Sequence, residues 1–128
     1  MNKQRIAEYL NKFDYDFKET NDSIKVQLDF NLEIHIDLSI TDKIKISDKL
    51  DFLNFLSWPF SMSIKGTMLY NFISSFIVFV LFLTLSNSMN NYVLTMIVIF
   101  AVFWNLYWLF YYLIKSENFK KEVRSLMK

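Results

Sequence analysis

The chain has 128 residues, 53% of them apolar and 19% aromatic, with one Gly, one Pro and no Cys. That apolar share is high for a soluble domain of this size. The missing cysteine excludes a disulfide framework, a thiol nucleophile and a Cys-based zinc or iron–sulfur site. The net charge of +1 is unevenly distributed: residues 1–65 carry nine Lys/Arg against eleven Asp/Glu, 66–114 carry none, and 115–128 carry five against two.

Residues 2–12 contain good helix formers around Ile6, Ala7, Tyr9 and Leu10, with Asn11 placed to end the turn. The period then changes to two. Phe13, Tyr15 and Phe17 alternate with Asp14, Asp16 and Lys18, as in a half-buried strand. Every even position from Ile24 to Ile40 is apolar, while most odd ones are polar or charged. A single strand over these 17 residues would be about 56 Å long, far beyond ordinary strands, so it must fold back.

Parity restricts the turns, because only an odd-length loop keeps even residues on one face across a hairpin. Asp29-Phe30-Asn31 suits a three-residue loop that sets Leu28 opposite Leu32 and Val26 opposite Ile34. Thr41-Asp42-Lys43 predicts a second such loop, pairing Ile40 with Ile44 and Leu38 with Ile46. Between Phe17 and Ile24 the parity switches, and a four-residue loop, Glu19 to Asp22, places Asp16 opposite Lys25. Residues 1–46 thus read as a small α+β module, a helix followed by a four-stranded antiparallel meander with one apolar face. At this size it needs support from outside itself.

In residues 47–66, Ser47 can cap a helix starting at Asp48, and Leu50, Leu53, Phe55 and Leu56 form an apolar stripe leading to Trp58-Pro59-Phe60. Such a helix would lie at a membrane surface, close the open sheet face, or do both. The uncharged block Gly66–Ile114 follows, 49 residues long and divided by the polar break at 86–91. It allows two membrane crossings of about 20 residues each, predicted at 67–85 and 92–114. Lys65 precedes the first, and Lys115, Lys120, Lys121 and Arg124 follow the second, with no basic residue in the break. Basic residues stay on the cytoplasmic side, so both termini are expected there. Residues 1–30 are interrupted by charges and lack a signal-peptide core. Twelve Lys to two Arg, with frequent Asn and Ile, is the usage of AT-rich coding and suggests a bacterial inner membrane.

Neutral polar groups punctuate the spans. Asn71 and Ser75 in the first and Asn105 in the second are candidates for helix–helix or partner contacts, with Ser75 and Asn105 at similar depth across an antiparallel hairpin. Trp104 and Tyr107 lie deep enough to suggest a protein interface. Trp108, Tyr111 and Tyr112, with Trp58, Phe60 and Lys65 on the other arm, read as membrane-interface residues. In 115–128, Phe119, Val123, Leu126 and Met127 share a helical face, and Lys115, Lys120, Lys121 and Arg124 supply positive charge. This basic amphipathic tail would rest on anionic lipid headgroups or on the acidic amino-terminal module, or simply continue the second span.

Little else suggests chemistry. His35, the sole histidine, stands between Glu33 and Asp37 on the polar strand face, where a solvated surface is the ordinary reading. One glycine cannot build a phosphate loop, and no Ser has a recognisable His partner. The spans hold no ionisable group for coupled transport. Neither a catalytic constellation, a cofactor, a metal site, a small-molecule substrate nor a nucleic-acid surface is indicated. The expectation is a non-catalytic accessory, regulatory or immunity-type subunit that binds another membrane protein or its own copies. The alternative is a homo-oligomeric channel or transporter component built from hairpins.

Overall fold

The structure, a computed structural model, describes residues 2–40, 43–51, 60–87 and 90–128. It comprises α1 (Asn2–Lys12), β1 (Asp16–Thr20), β2 (Ser23–Gln27), β3 (Leu32–Asp37), β4 (Lys45–Leu50), α2 (Ile64–Leu85) and α3 (Asn91–Leu126). The strands form an antiparallel sheet in sequence order, β1-β2-β3-β4. With the helices this is an α+β arrangement.

Helix α1 ends where Asp14 takes the left-handed conformation (φ 56°). The Tyr15 N–H reaches back to the Leu10 carbonyl at 3.0 Å and the Asp14 N–H to that of Asn11 at 3.2 Å, the Schellman pattern that satisfies a helix's last carbonyls. Phe13 is consumed in this turn and left exposed, so the strand predicted from Phe13 starts instead at Asp16.

The alternation of the sequence is realised in the sheet. Ile24, Val26, Leu28, Leu32, Ile34, Ile36 and Leu50 are all buried on one face. The 29–31 loop sets Val26 opposite Ile34 as expected. The two flanking connections keep their parity but shift by two residues. β1 and β2 are joined by the tight two-residue turn Asn21-Asp22, so Asp16 faces Gln27, and Lys25 faces Lys18 rather than Asp16. Asn and Asp are favoured turn residues because their side chains can bond the nearby backbone.

Between β3 and β4 the pairs are Ile36 with Ile46 and Asp37 with Lys45, not Leu38 with Ile46. The chain leaves the sheet early because the Asp37 carboxylate accepts the Ser39 N–H at 3.0 Å, a local turn that competes with the ladder. Ile40 is left exposed; Thr41 and Asp42 of the predicted loop lie outside the described residues. The shift lets β4 run on through Leu50, which pairs with Leu32. Ser47 therefore stands opposite His35 in the sheet and does not cap a helix at Asp48. The rest of that predicted helix, including Trp58, lies outside the described residues.

The chain returns at Met62, whose N–H and C=O bond Leu50 at 3.0 and 2.7 Å. Ser63 then caps α2, its Oγ accepting the Gly66 N–H at 3.1 Å. α2 has 22 residues and α3 has 36, about 33 and 54 Å at 1.5 Å per residue. Both are long and apolar enough to cross a membrane, and their most apolar stretches face outward, with little or nothing of them buried. The predicted tail is no separate element: α3 runs unbroken through it.

That continuation explains how the small module is stabilised. The apolar face of the sheet is covered by Ile6 and Leu10 of α1 and by Trp108, Tyr112, Phe119 and Val123 of α3, with Ile64 at the start of α2, in one core. The buried α3 positions recur every three or four residues, the period of a single helical face.

Candidate functional site

The alternation of β4 continues through Ile46, Asp48 and Leu50. Asp48 is the one charged residue among the even positions of β2, β3 and β4, opposite Ile34 on the covered face. A carboxylate there must be answered by donors, and three elements supply them. Oδ2 accepts the Lys120 Nζ at 2.6 Å and the Ser116 Oγ at 3.3 Å, both from α3. Oδ1 accepts the Ile64 N–H at 3.1 Å, from the first turn of α2. That N–H has no partner within its own helix, and a negative charge there is also stabilised by the positive end of the helix dipole.

Asp48 thereby ties the sheet to both long helices where they leave it. The pair is largely removed from water, with 11% of the Lys120 side chain and 15% of that of Asp48 exposed. Burial alone would lower the Lys120 ammonium. The hydrogen bond and charge of Asp48, helped by Glu117 at 3.2 Å, outweigh it and hold the group above the ordinary lysine range.

Two further bonds fix the same assembly. The Tyr9 hydroxyl donates to Glu122 Oε2 at 2.6 Å, joining α1 to α3. Burial first, then the bond and charge of Glu122, push this phenol well above its usual range. The Tyr112 hydroxyl, its side chain fully buried, donates to the Phe30 carbonyl in the 29–31 loop at 2.7 Å.

These contacts relocate several residues expected at a membrane interface. Tyr112 and Lys120 point into the core, because the helical face they share is the one that covers the sheet. Trp108 is nearly buried, ringed by Phe30, Trp104, Tyr107 and Tyr111 at centroid distances of 5.1 to 5.9 Å. Tyr111 is half-buried against Phe30, and Lys115 meets Asp29 at 3.4 Å. Lys65, Lys121 and Arg124 are exposed, as are Phe60, Trp104 and Tyr107.

Between α2 and α3 a mostly apolar cleft of about 370 Å³ is lined by Ser74, Ser75, Val78, Thr95, Val98 and Asn105, among others. It brings Ser75 and Asn105 together without the expected bond between them. The Asn105 Nδ2 instead donates to the Ala101 carbonyl at 2.9 Å, and Ser74 and Thr95 likewise bond carbonyls one turn back. A polar group in an apolar setting takes the nearest acceptor, which its own helix provides. Asn71 differs: its Nδ2 is buried and has no hydrogen-bond partner among the described residues.

Elsewhere the sheet's outer face is a solvated array. Lys18, Lys25, His35 and Ser47 form one cross-strand row, so the lateral neighbours of His35 are a lysine and a serine. Among the described residues no three His, Cys, Asp or Glu side chains gather as a metal site would require. No family model, curated protein or solved structure matches this chain. Its function is therefore read from geometry.

Asp48 is the residue that sequence reasoning missed. Extending the even-position rule past Ile46 would have placed a carboxylate on the buried face and required a basic partner. Assigning 47–66 to an amphipathic helix and linker, with the helix starting at Asp48, hid that signal.

Proposed function

We propose that this is a two-span membrane protein whose α+β domain works as a non-catalytic binding subunit of a membrane complex. The observation that carries the reading is the continuity of α3. One helix supplies both an outward-facing apolar segment and the cover of the sheet, so the sheet cannot move independently of the hairpin. Phe72, Met96 and Phe103, each with two-thirds or more of its surface exposed, are placed as lipid-facing residues are, and water would penalise them. With the hairpin in a bilayer, the sheet, Lys65 and the carboxy-terminal end of α3 share one side. The basic residues there make it the cytoplasmic side. The outer sheet face, with its rows of mixed charge, is then presented to a protein partner at fixed height and orientation.

Purification in mild detergent followed by mass measurement tests this. Recovery of one chain with a second, different protein is expected. A symmetric assembly of this chain alone would overturn the accessory reading and favour a path between hairpins lined by Asn71, Ser75 and Asn105. For orientation, a reporter fused at Asn90 is expected outside the cytoplasm, and a cytoplasmic signal would reverse the assignment.

A further inference from the structure

The loop between β2 and β3 holds two left-handed residues, Phe30 (φ 55°) and Asn31 (φ 63°). Asn tolerates that conformation, whereas for a residue such as Phe it costs about 1–2 kcal/mol. The ring is not hidden in return: Phe30 stays 47% exposed. It is nevertheless held firmly, edge-on to Trp108 at 5.1 Å and to Tyr111 at 5.4 Å. The Tyr112 hydroxyl secures its carbonyl.

Those contacts define a height along α3. Lys115 is the first charge after the uncharged block, and Tyr111 and Trp108 precede it by four and seven residues. They lie about 6 and 10 Å to its apolar side along the helix axis. On the other helix Phe60, also exposed, meets Tyr70 edge-on at 5.9 Å, and Tyr70 lies five residues beyond Lys65, about 8 Å. Phe30 and Phe60 thus each touch a long helix at aromatic residues on the apolar side of the lysine that bounds it. Asp29, beside Phe30, is matched by Lys115 at 3.4 Å, so the loop brings little net charge to that level.

We infer that the β2–β3 loop is itself a membrane-contacting element, with the Phe30 ring in the boundary between headgroups and acyl chains and the Asp29–Lys115 pair among the headgroups. An aromatic ring is favourable at that depth, where its apolar body leaves water. The left-handed Phe is then explained as the way to aim its ring past the end of the sheet. The domain sits partly sunk in the lipid surface rather than above it. This rests on the hairpin spanning the bilayer.

The chain has no cysteine, so a single Phe30→Cys can carry a bimane label in the full-length protein, reconstituted in phosphatidylcholine–phosphatidylglycerol vesicles. Labels at Ile77→Cys, midway along α2, and Lys18→Cys, on the outer sheet face, serve as references. Iodide in the water and a lipid bearing a shallow nitroxide serve as quenchers. The label at 30 is expected to be quenched several-fold less by iodide, and several-fold more by the nitroxide lipid, than that at 18. If position 30 is as open to iodide as 18 while 77 is shielded, the loop stands clear of lipid and the inference fails although the hairpin spans. If 77 is open to iodide, the spanning reading fails and this inference with it. Asp29→Cys retains the ring and carries the same comparison should Phe30→Cys not fold.

Discussion

The two halves of α3 treat their polar groups in opposite ways. From Asn91 to Tyr107 the hydroxyl of Thr95 and the amide of Asn105 bond carbonyls of their own helix. From Trp108 onward Tyr112, Ser116, Lys120 and Glu122 make bonds to the 29–31 loop, β4 and α1. Among the described residues the first half packs only against α2, so its polar atoms are satisfied locally and its surface is mostly apolar. The second half has a sheet to cover, and one face becomes a stripe of buried residues whose polar ends hold distant parts together. One helix therefore follows two sets of rules, and the change at Trp108 marks where its surroundings change.

Removing the second half's contacts should destabilise most where ring volume is lost. Tyr112→Ala deletes a fully buried ring and its bond to Phe30 and is expected to cost about 3–5 kcal/mol; chemical unfolding in detergent, followed by near-ultraviolet circular dichroism, would measure it. A loss under 1 kcal/mol would mean that α3 does not carry the sheet.

The Asp48–Lys120 pair comes next. Asp48→Ala leaves the buried ammonium with only the exposed Glu117 and leaves the Ile64 N–H unanswered, and a loss of about 2–4 kcal/mol is expected. The apolar double variant Asp48→Leu with Lys120→Met should lie closer to the parent than either single change. A double-mutant cycle with no coupling would break the assignment.

The pH dependence has the same sign for both raised groups. Lys120 and the Tyr9 phenol are each held above their ordinary values, so the folded state keeps its protons more tightly than the unfolded one. Their contribution is complete below about pH 10 and lost as pH climbs through the raised values. Melting temperature should therefore fall more steeply above about pH 10 in the parent than in a Tyr9→Phe, Lys120→Met variant. At neutral pH, Tyr9→Phe alone should cost about 1 kcal/mol.

The smallest change belongs to the first half. Asn105→Leu removes only a bond within its own helix and should alter stability by less than about 0.5 kcal/mol. A larger loss, or a changed assembly mass, would show that the cleft-lining amide serves a second helix.

Elements governed by local rules were legible from the residues. The alternation placed the sheet's apolar face, and the Asp29-Phe30-Asn31 loop has its predicted register. The uncharged block located α2 and the start of α3 within a few residues, but not the end of α3, which runs past Ile114 to Leu126. Misjudged features were those in which one element competes with another. The registers beside β1 and β4 slipped by two because parity permits any even shift, and only the turns at Asn21-Asp22 and Asp37-Ser39 select one. Tyr112 and Lys120 were expected at a lipid surface because aromatic and basic residues after an apolar block have that pattern whether or not a sheet lies against them.

What the sequence determined by itself was the division of charge, −2, 0 and +3 along the chain, and the periods that follow from it: two in the strands, unbroken apolarity in the hairpin, a helical stripe at the end. What only the tertiary structure decided was which stripe meets which face. The sheet is covered by α1 together with residues of α3 some 80 positions away, and Asp48 finds Lys120 because a carboxylate on that face must be paired. Periodicity is a property of neighbours in sequence, while pairing of buried charge depends on neighbours in space.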